Sequence, residues 1–533
     1  MNRVIRHIRE TMKHVISSLP LGTLSLCHIV LCTLSLCALL ATSSFSLQAQ
    51  PKHEMRAAWI ATVANIDWPS KEAIGNSELQ KKEMLFLLDS LASLRLNMVI
   101  FQIRPTADAL YASPYEPWSH WLTGKQGQPN DKPYDPLTFV CEEAHKRCMD
   151  VHVWLNPYRV TTAGYSTAEL DKSHIYNSKR HLFVKYGKQW YFNPGLDETR
   201  LWLRTVAADI VARYDIDGLH FDDYFYPYRV KGEEFPDDAA FRAHPRGFTD
   251  KDAWRRNNVN LIIQELHDTI HALKPWVEFG ISPFGVWRNR SSDAERGSDT
   301  NAGVQNYDDL YADILLWQEN GWIDYVVPQL YWEIGKTVAD YQVLAHWWAK
   351  YSYGTNLYIG HSLSALGKSK NEAWMRPNEI CRQIRLNRTI PQIQGSVFFP
   401  AHDLIAGRLG LCDSLIYDLY ALPALPPSCF AERPLPHSPK NVQIEAIDNI
   451  HSRITWTPVD GCSRYIVYAF PTYADAEFDD AKYIIAITAE NNTTINLDPE
   501  EFTICVTAFD RYHHESIPTV AEYGEANTEE IDF

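Results

Sequence analysis

Residues 198–227 read ETRLWLRTVAADIVARYDIDGLHFDDYFYP. The opening part, ETRLWLRTVAADIVARY (198–214), has the period of a helix: Leu203, Val206, Ala207, Ile210 and Val211 recur at spacings of three and four. The part that follows, GLHFDD (218–223), is a short apolar run that ends on two aspartates. Nearly continuous apolar character suits a parallel strand, which is covered on both faces. Helix followed by buried strand is one unit of an alternating α/β chain.

The unit repeats. The apolar runs are AAWIAT (57–62), NMVIFQIR (97–104), VHVWLN (151–156), GLHFDD (218–223), VEFGIS (277–282), YVVPQLY (325–331), LYIGHS (357–362) and GSVFFP (395–400). Helical segments such as SELQKKEMLFLLDSLASLRL (77–96) separate them. Eight strands and eight helices in strict alternation predict an α/β fold closed into a (β/α)8 TIM barrel. The barrel would occupy residues 50–422, more than the roughly 250 usual for the fold, so several βα loops must be long.

A second architecture follows. Residues 423–439, PALPPSCFAERPLPHSP, carry six prolines and read as a semi-rigid linker. Beyond it, short strands such as SRITWTP, RYIVYAFP and FTICVTAFD lie close together between turns, predicting a small all-β sandwich over 440–525 with Trp456, Tyr465 and Phe502 in its core. Residues 526–533 form an acidic tail. The sandwich offers either a surface for a cell-envelope protein partner or a spacer. Nothing in the sequence sets an oligomeric state.

The N-terminus reads as a targeting segment. Arg3, Arg6, Arg9 and Lys13 precede an apolar stretch and a small-residue exit at ATSSFSLQA, which predicts a signal peptide over 1–49. The protein is therefore expected to be exported to the periplasm or cell envelope, membrane-anchored if the segment stays uncleaved. The whole chain carries a net charge of −16; without these 49 residues, four basic and one acidic, it is near −19. That acidity argues against a nucleic-acid partner, which needs a basic face. Outside the leader seven cysteines remain, and Cys141 and Cys148 fall two turns apart on an expected helix, too far for a disulfide. No CxxC pair or Cys/His cluster has zinc spacing, so neither a metal nor a cofactor is expected.

In a barrel of this class, chemistry sits where the strands empty into the βα loops. Arg104, Asp108, Glu116 and Trp118 follow the second run; Asn156, Tyr158 and Arg159 the third. The fourth is followed by Asp222, Asp223, Tyr224 and Tyr226, with His220 inside it. Ser282, Phe284, Trp287, Arg288 and Asn289 follow the fifth; Gln329, Tyr331, Trp332 and Glu333 the sixth; His361 the seventh. Carboxylates among Trp and Tyr, with no phosphate loop, point to glycoside hydrolysis of a polysaccharide. Adjacent aspartates held close and partly desolvated resist ionising together, so one stays protonated near neutrality. Two mechanisms remain open. Asp222 is a nucleophile with Glu116 or Glu333 as the acid across the cleft, or Asp222 and Asp223 act as a pair on a substrate whose own acetamido group attacks. Arg104, Arg159 and Arg288 each either pair with a structural carboxylate or bind an anionic group of the substrate.

At these residues the chain resembles the glycosyl-hydrolase-like family 10. The resemblance rests on EMRAAWIATVANIDWPS (54–70), FQIRPTADALY (101–111), YEPWSHWLTG (115–124), VHVWLNPYR (151–159), DGLHFDDYFYP (217–227), GISPFGVWRN (280–289) and DYVVPQLYW (324–332), and covers about 54–420. The trailing sandwich resembles a fibronectin type III module. The family resemblance implies a barrel glycosidase of the bacterial envelope acting on peptidoglycan glycan strands stripped of stem peptides. It carries over Arg104, Asp108, Glu116, Trp118, Asn156, Arg159, Asp222, Asp223, Trp287, Arg288, Gln329 and Tyr331 as cleft groups. It is distinct from the family 10 xylanases, whose paired glutamates after strands 4 and 7 have no counterpart here. Two alternatives are a hydrolase of another N-acetylated, dietary or host polysaccharide, and a non-catalytic glycan-binding scaffold.

Overall fold

A computed structural model describes residues 50–523, except 377, 431–432, 449–450 and 499–500. The expected leader (1–49) and acidic tail (526–533) lie outside the described residues. The eight strands predicted for the barrel form: β1 (Met55–Ile60), β2 (Met98–Arg104), β3 (Asp150–Leu155), β6 (Gly218–Phe221), β7 (Glu278–Ile281), β8 (Tyr325–Val326), β9 (Asn356–Ser362) and β10 (Ile393–Phe399). They close in parallel in the order β1-β10-β9-β8-β7-β6-β3-β2. The strands β4 (Phe183–Tyr186) and β5 (Gln189–Phe192) make an antiparallel hairpin in the connection between β3 and β6. The hairpin interrupts the expected strict alternation.

Period-two sorting builds two cores from each strand. Met55, Ala57, Trp59 and Ala61 meet Met98, Ile100, Trp154, Tyr325 and Tyr358 inside the barrel. Ala58, Ile60, Val99 and Phe101 face out to the helices. The lumen is tight enough to require glycine: a Cβ on Gly280 would lie 1.9 Å from the Tyr325 ring, and one on Gly218 would lie 2.3 Å from the His152 ring. Two expectations are corrected. The sixth run forms a strand only at Tyr325–Val326, because Pro328 lacks the N–H that would continue the ladder. The helix holding Cys141 ends at His145, so Cys148 lies beyond it, at φ 56°.

The C-terminal strands, β11 (Lys440–Ala446), β12 (Ser452–Thr457), β13 (Cys462–Pro471), β14 (Ile484–Thr488), β15 (Asn492–Ile495), β16 (Phe502–Asp510), β17 (Thr519–Val520) and β18 (Glu522–Tyr523), form two four-stranded sheets, β15-β12-β11-β18 and β14-β13-β16-β17. Trp456 and Tyr465 meet in the core between them, ring centroids 5.1 Å apart. The sandwich is docked on the strand N-terminal end of the barrel. Arg464 pairs with Asp150 at the start of β3, Arg511 donates to Asp217 before β6 at 2.9 Å, and His513 lies 3.4 Å from Glu278 at the start of β7. The proline-rich segment takes part in the junction. Leu425 exchanges backbone hydrogen bonds with Lys52 and Glu54 and is buried among Ile466, Tyr468 and Phe470.

Candidate active site

The opposite, strand C-terminal end holds a cavity of about 350 Å³. Its walls are aromatic: Trp59 from β1, Trp154 from β3, Phe399 from β10, and Tyr224, Tyr228, Phe284, Tyr331 and Trp332 from loops. Its polar groups are few and convergent: Asp222, Asp223, Arg159, Ser282 and Gln329. Apolar walls with a few fixed polar groups are the usual make-up of a ligand site.

The backbone leaves β6 at Phe221, and the two aspartates that follow take different partners. Asp222 turns toward β3. Its Oδ2 accepts from Trp154 Nε1 at 3.0 Å, Asn156 Nδ2 reaches both oxygens at 3.3 Å, and its Oδ1 accepts from the Tyr224 backbone N–H at 3.2 Å. Asp223 turns the other way. It accepts from the Tyr228 hydroxyl, and from Gln329 Nε2 at 3.3 Å. Gln329 is itself held by the Ser282 carbonyl at 2.9 Å. Both carboxyls are nearly inaccessible, at 3% and 5% exposure. Burial first, and then the charge of Asp223, raises Asp222 to about 7. Burial also raises Asp223, while Tyr228 and Gln329 pull it back toward the anion. Two adjacent buried carboxyls with different hydrogen-bond partners therefore hold one proton near neutral pH.

Arg159 is the cation of this cavity. Its guanidinium lies over the Tyr224 ring at 5.2 Å, its Nε donates to the Pro105 carbonyl at 3.1 Å, and its charge pulls both Asp222 and Asp223 toward the anion without a direct ion pair to either. Its backbone N–H donates to Asn156 Oδ1 at 2.9 Å, so one asparagine braces both the arginine loop and Asp222.

Of the residues singled out from the sequence, Asp222, Asp223, Arg159, Tyr224, Ser282, Phe284, Gln329, Tyr331 and Trp332 line this cavity, and Asn156 backs it. The others lie elsewhere. Glu116 is taken by Arg104 in a buried two-pronged pair, with Nη2–Oε1 at 2.6 Å and Nε–Oε2 at 2.7 Å. Arg104 also donates to the Asn156 carbonyl at 2.6 Å. Glu333, the other candidate acid, accepts from Asn371 and from Trp374 Nε1. Neither glutamate faces Asp222 across the cavity. Asp108 is held by Thr106, Gln126 and His120, and Trp118 packs on the outer core. Arg288 is chelated by Asp308, with Asn289 stitching its loop to Thr300 and Ala302. Trp287, Tyr158 and Tyr226 are core residues, and Tyr226 accepts from Asn258 Nδ2 at 2.9 Å. His361 is buried between Gln383 and Ser396. His220 lies in the barrel lumen, bonded to Ser282 Oγ at 2.8 Å and the Tyr325 hydroxyl at 2.9 Å.

Trp59, Trp154, Phe399 and Tyr228 also line the cavity, at positions not expected from the sequence. For Trp154 a signal existed: it precedes Asn156 by two residues, so both point to the same side of β3, and both reach Asp222. Tyr228 carried no such signal, because it reaches Asp223 through a loop that folds back on itself.

A family model described as Glycosyl hydrolase-like 10 matches residues 54–376. Glycosyl hydrolase YngK of Bacillus subtilis (strain 168) is 42% identical over 483 residues, spanning 89% of this chain and 94% of that protein. Glycosyl hydrolase DigH of Escherichia coli (strain K12) is 40% identical over 371 residues, 66% of this chain and 83% of that protein. Among solved structures, the PgaB (BpsB) glycoside hydrolase domain from Bordetella bronchiseptica aligns over 69% of this chain and 99% of its own, with a TM-score of 0.44 and 11% identity.

Proposed function

The chain belongs to the glycosyl hydrolase-like 10 family, and on that premise we propose that it is an exported glycoside hydrolase of peptidoglycan glycan strands freed of stem peptides. The observation that carries the reading is the buried Asp222–Asp223 pair inside an aromatic cavity that also holds Arg159. Among the described residues no helix is long and apolar enough to cross a membrane.

The pair sets the mechanism. With Glu116 and Glu333 each held by other side chains, the acid and its partner are the two aspartates themselves. The 2-acetamido oxygen of an N-acetylated sugar attacks its own anomeric carbon as the glycosidic bond breaks. One aspartic acid gives its proton to the departing oxygen, and the other, anionic, accepts the acetamido N–H and steadies the developing positive charge. Water then enters with the first aspartate acting as base, which is the substrate-assisted form of glycoside hydrolysis. Trp59, Tyr331 and Phe399 supply flat faces for sugar rings. In this reading Arg159 binds the lactyl carboxylate of N-acetylmuramic acid, which is free once the peptide is gone; its position in the cavity supports that role.

The test is mass spectrometry of products from intact and amidase-treated peptidoglycan, with Asp222→Asn, Asp223→Asn and Arg159→Ala proteins alongside. Peptide-free oligosaccharides are expected from the amidase-treated wall alone, and from neither Asn variant. Arg159→Ala should lose activity on denuded strands and keep it on chitin oligomers. Retained binding to the wall with no products from any sample would favour a glycan-binding scaffold. Neither products nor binding would reject peptidoglycan as the substrate.

A further inference from the structure

Far from the cavity, one cluster of side chains remains without a role. His267 and His271 lie one turn apart on the helix Lys251–Leu273, which connects β6 to β7, and Asp324 immediately precedes β8. Each offers a donor atom, and the three donors lie within 4.8 Å of one another. The two imidazole rings meet edge to face, with centroids 4.3 Å apart.

We propose that His267, His271 and Asp324 form a binding site for a divalent transition metal of the zinc type. Spacing i, i+4 on a helix puts both imidazoles on one face, as a shared metal needs. Zinc bonds of about 2.0–2.1 Å in tetrahedral geometry set donors about 3.3 Å apart, a distance His271 Nε2 and Asp324 Oδ2 already match at 3.2 Å. The remaining closure is a rotation of half-buried side chains. His271 Nε2 already pairs with Asp324 Oδ2, and the buried His267 Nδ1 has no hydrogen-bond partner among the described residues. Buried ring nitrogens without partners are uncommon.

The surroundings supply what outer partners usually do. The His271 ring is bonded to the His267 backbone carbonyl, which leaves Nε2 as the outward nitrogen. Asp324 Oδ2 also accepts the Phe279 backbone N–H at 2.6 Å, which holds the carboxylate in place. All three residues are half-buried, so a metal could enter and a water could complete its coordination. The site lies at the barrel end bearing the sandwich, with Phe430 6.4 Å from the His271 ring. A metal there would clip the helix after β6 to the entrance of β8. That is a stabilising function, since this face of such barrels serves stability rather than chemistry.

The purified full chain, stripped with a chelator, is titrated with Zn²⁺ by calorimetry and with Co²⁺ by visible absorption, beside His267→Gln and His271→Gln. One equivalent per chain is expected, with a higher melting temperature when Zn²⁺ is present. In each Gln variant that equivalent should weaken by more than about 100-fold, beyond what losing an outer partner costs. The metal-free melting temperatures should stay alike, because the rings are half-exposed. The proposal is overturned if the wild type shows no saturable equivalent, or if both variants keep it. Should a variant not fold, the wild-type cobalt spectrum still decides: a thiolate charge-transfer band would place the metal on cysteine and overturn the assignment, while absorption of nitrogen and oxygen ligands alone supports it.

Discussion

At the scale of single residues, the proposed chemistry depends on keeping one proton on two adjacent carboxyls. Asp222 is raised to about 7, by burial and then by Asp223, so the proton-donating form is lost as pH climbs through that region. Turnover of a peptide-free glycan should therefore fall on the alkaline side with an apparent pKa near 7, read from kcat against pH. An alkaline limb above pH 9 would remove this pair as the proton source. Tyr228 tunes the other side. Its hydroxyl donates to Asp223 and helps keep it anionic. In Tyr228→Phe the acid limb should move to higher pH and kcat should drop about 10- to 100-fold, within the range of acid–base contributions. An unchanged profile would mean that the hydroxyl only packs.

At the scale of elements, the loops after β2 and β3 are tied into one frame. Arg104 at the end of β2 holds Glu116 in its own loop and the Asn156 carbonyl at the end of β3, while Asn156 holds Asp222. Trp202 on the helix Asp197–Arg213 adds a donor to Glu116 at 3.3 Å. The Arg104 and Glu116 side chains are both fully buried. Glu116→Gln thus leaves an unpaired buried guanidinium and should cost about 3–5 kcal/mol in a denaturant unfolding series. A catalytic acid would behave differently, with unchanged stability and a collapse in kcat. The sequence made Glu116 a reasonable acid, since it supplied the residue type at the mouth end of the barrel. It could not tell that Arg104, twelve residues earlier, would claim it.

At the scale of the whole molecule, a buried polar thread runs from the cavity to the sandwich. Gln329 binds Asp223 and the Ser282 carbonyl, and the Ser282 hydroxyl meets His220. His220 and His152 share the Tyr325 hydroxyl, and His152 lies 3.9 Å from Glu278, which faces His513. At its far end His513 pairs with Asp150 at 3.1 Å. Burial works against its charge, yet Asp150 and Glu278 overcome it and hold His513 at about 9, above the ordinary 6.5. A base raised on folding stabilises below its unfolded pKa and ceases to do so above its folded one. The junction should therefore lose stability as pH rises from 6.5 through 9, and Glu278, raised by burial to about 8, adds to the decline below that value. Melting temperatures between pH 6 and 10 would show this decline, and His513→Gln should make it shallower. An equally steep decline in the variant would place the cause elsewhere.

The barrel, the sandwich and the position of the paired aspartates are all legible in the chain. Each is written locally: apolar period sorts helix from strand, eight repeats imply closure, and chemistry gathers at strand ends. GLHFDD was legible as a buried strand ending on two carboxylates because neighbouring residues suffice to say so. Which mouth residues face the cavity depends on the folded barrel. Arg104, Arg159 and Arg288 look alike in the chain, but Glu116 and Asp308 neutralise two of them and leave Arg159. The docking of the sandwich on the barrel, and the meeting of His267 and His271 with Asp324, were likewise beyond local reading. Long-range pairing depends on where closure brings distant loops, and no spacing along the chain records that distance.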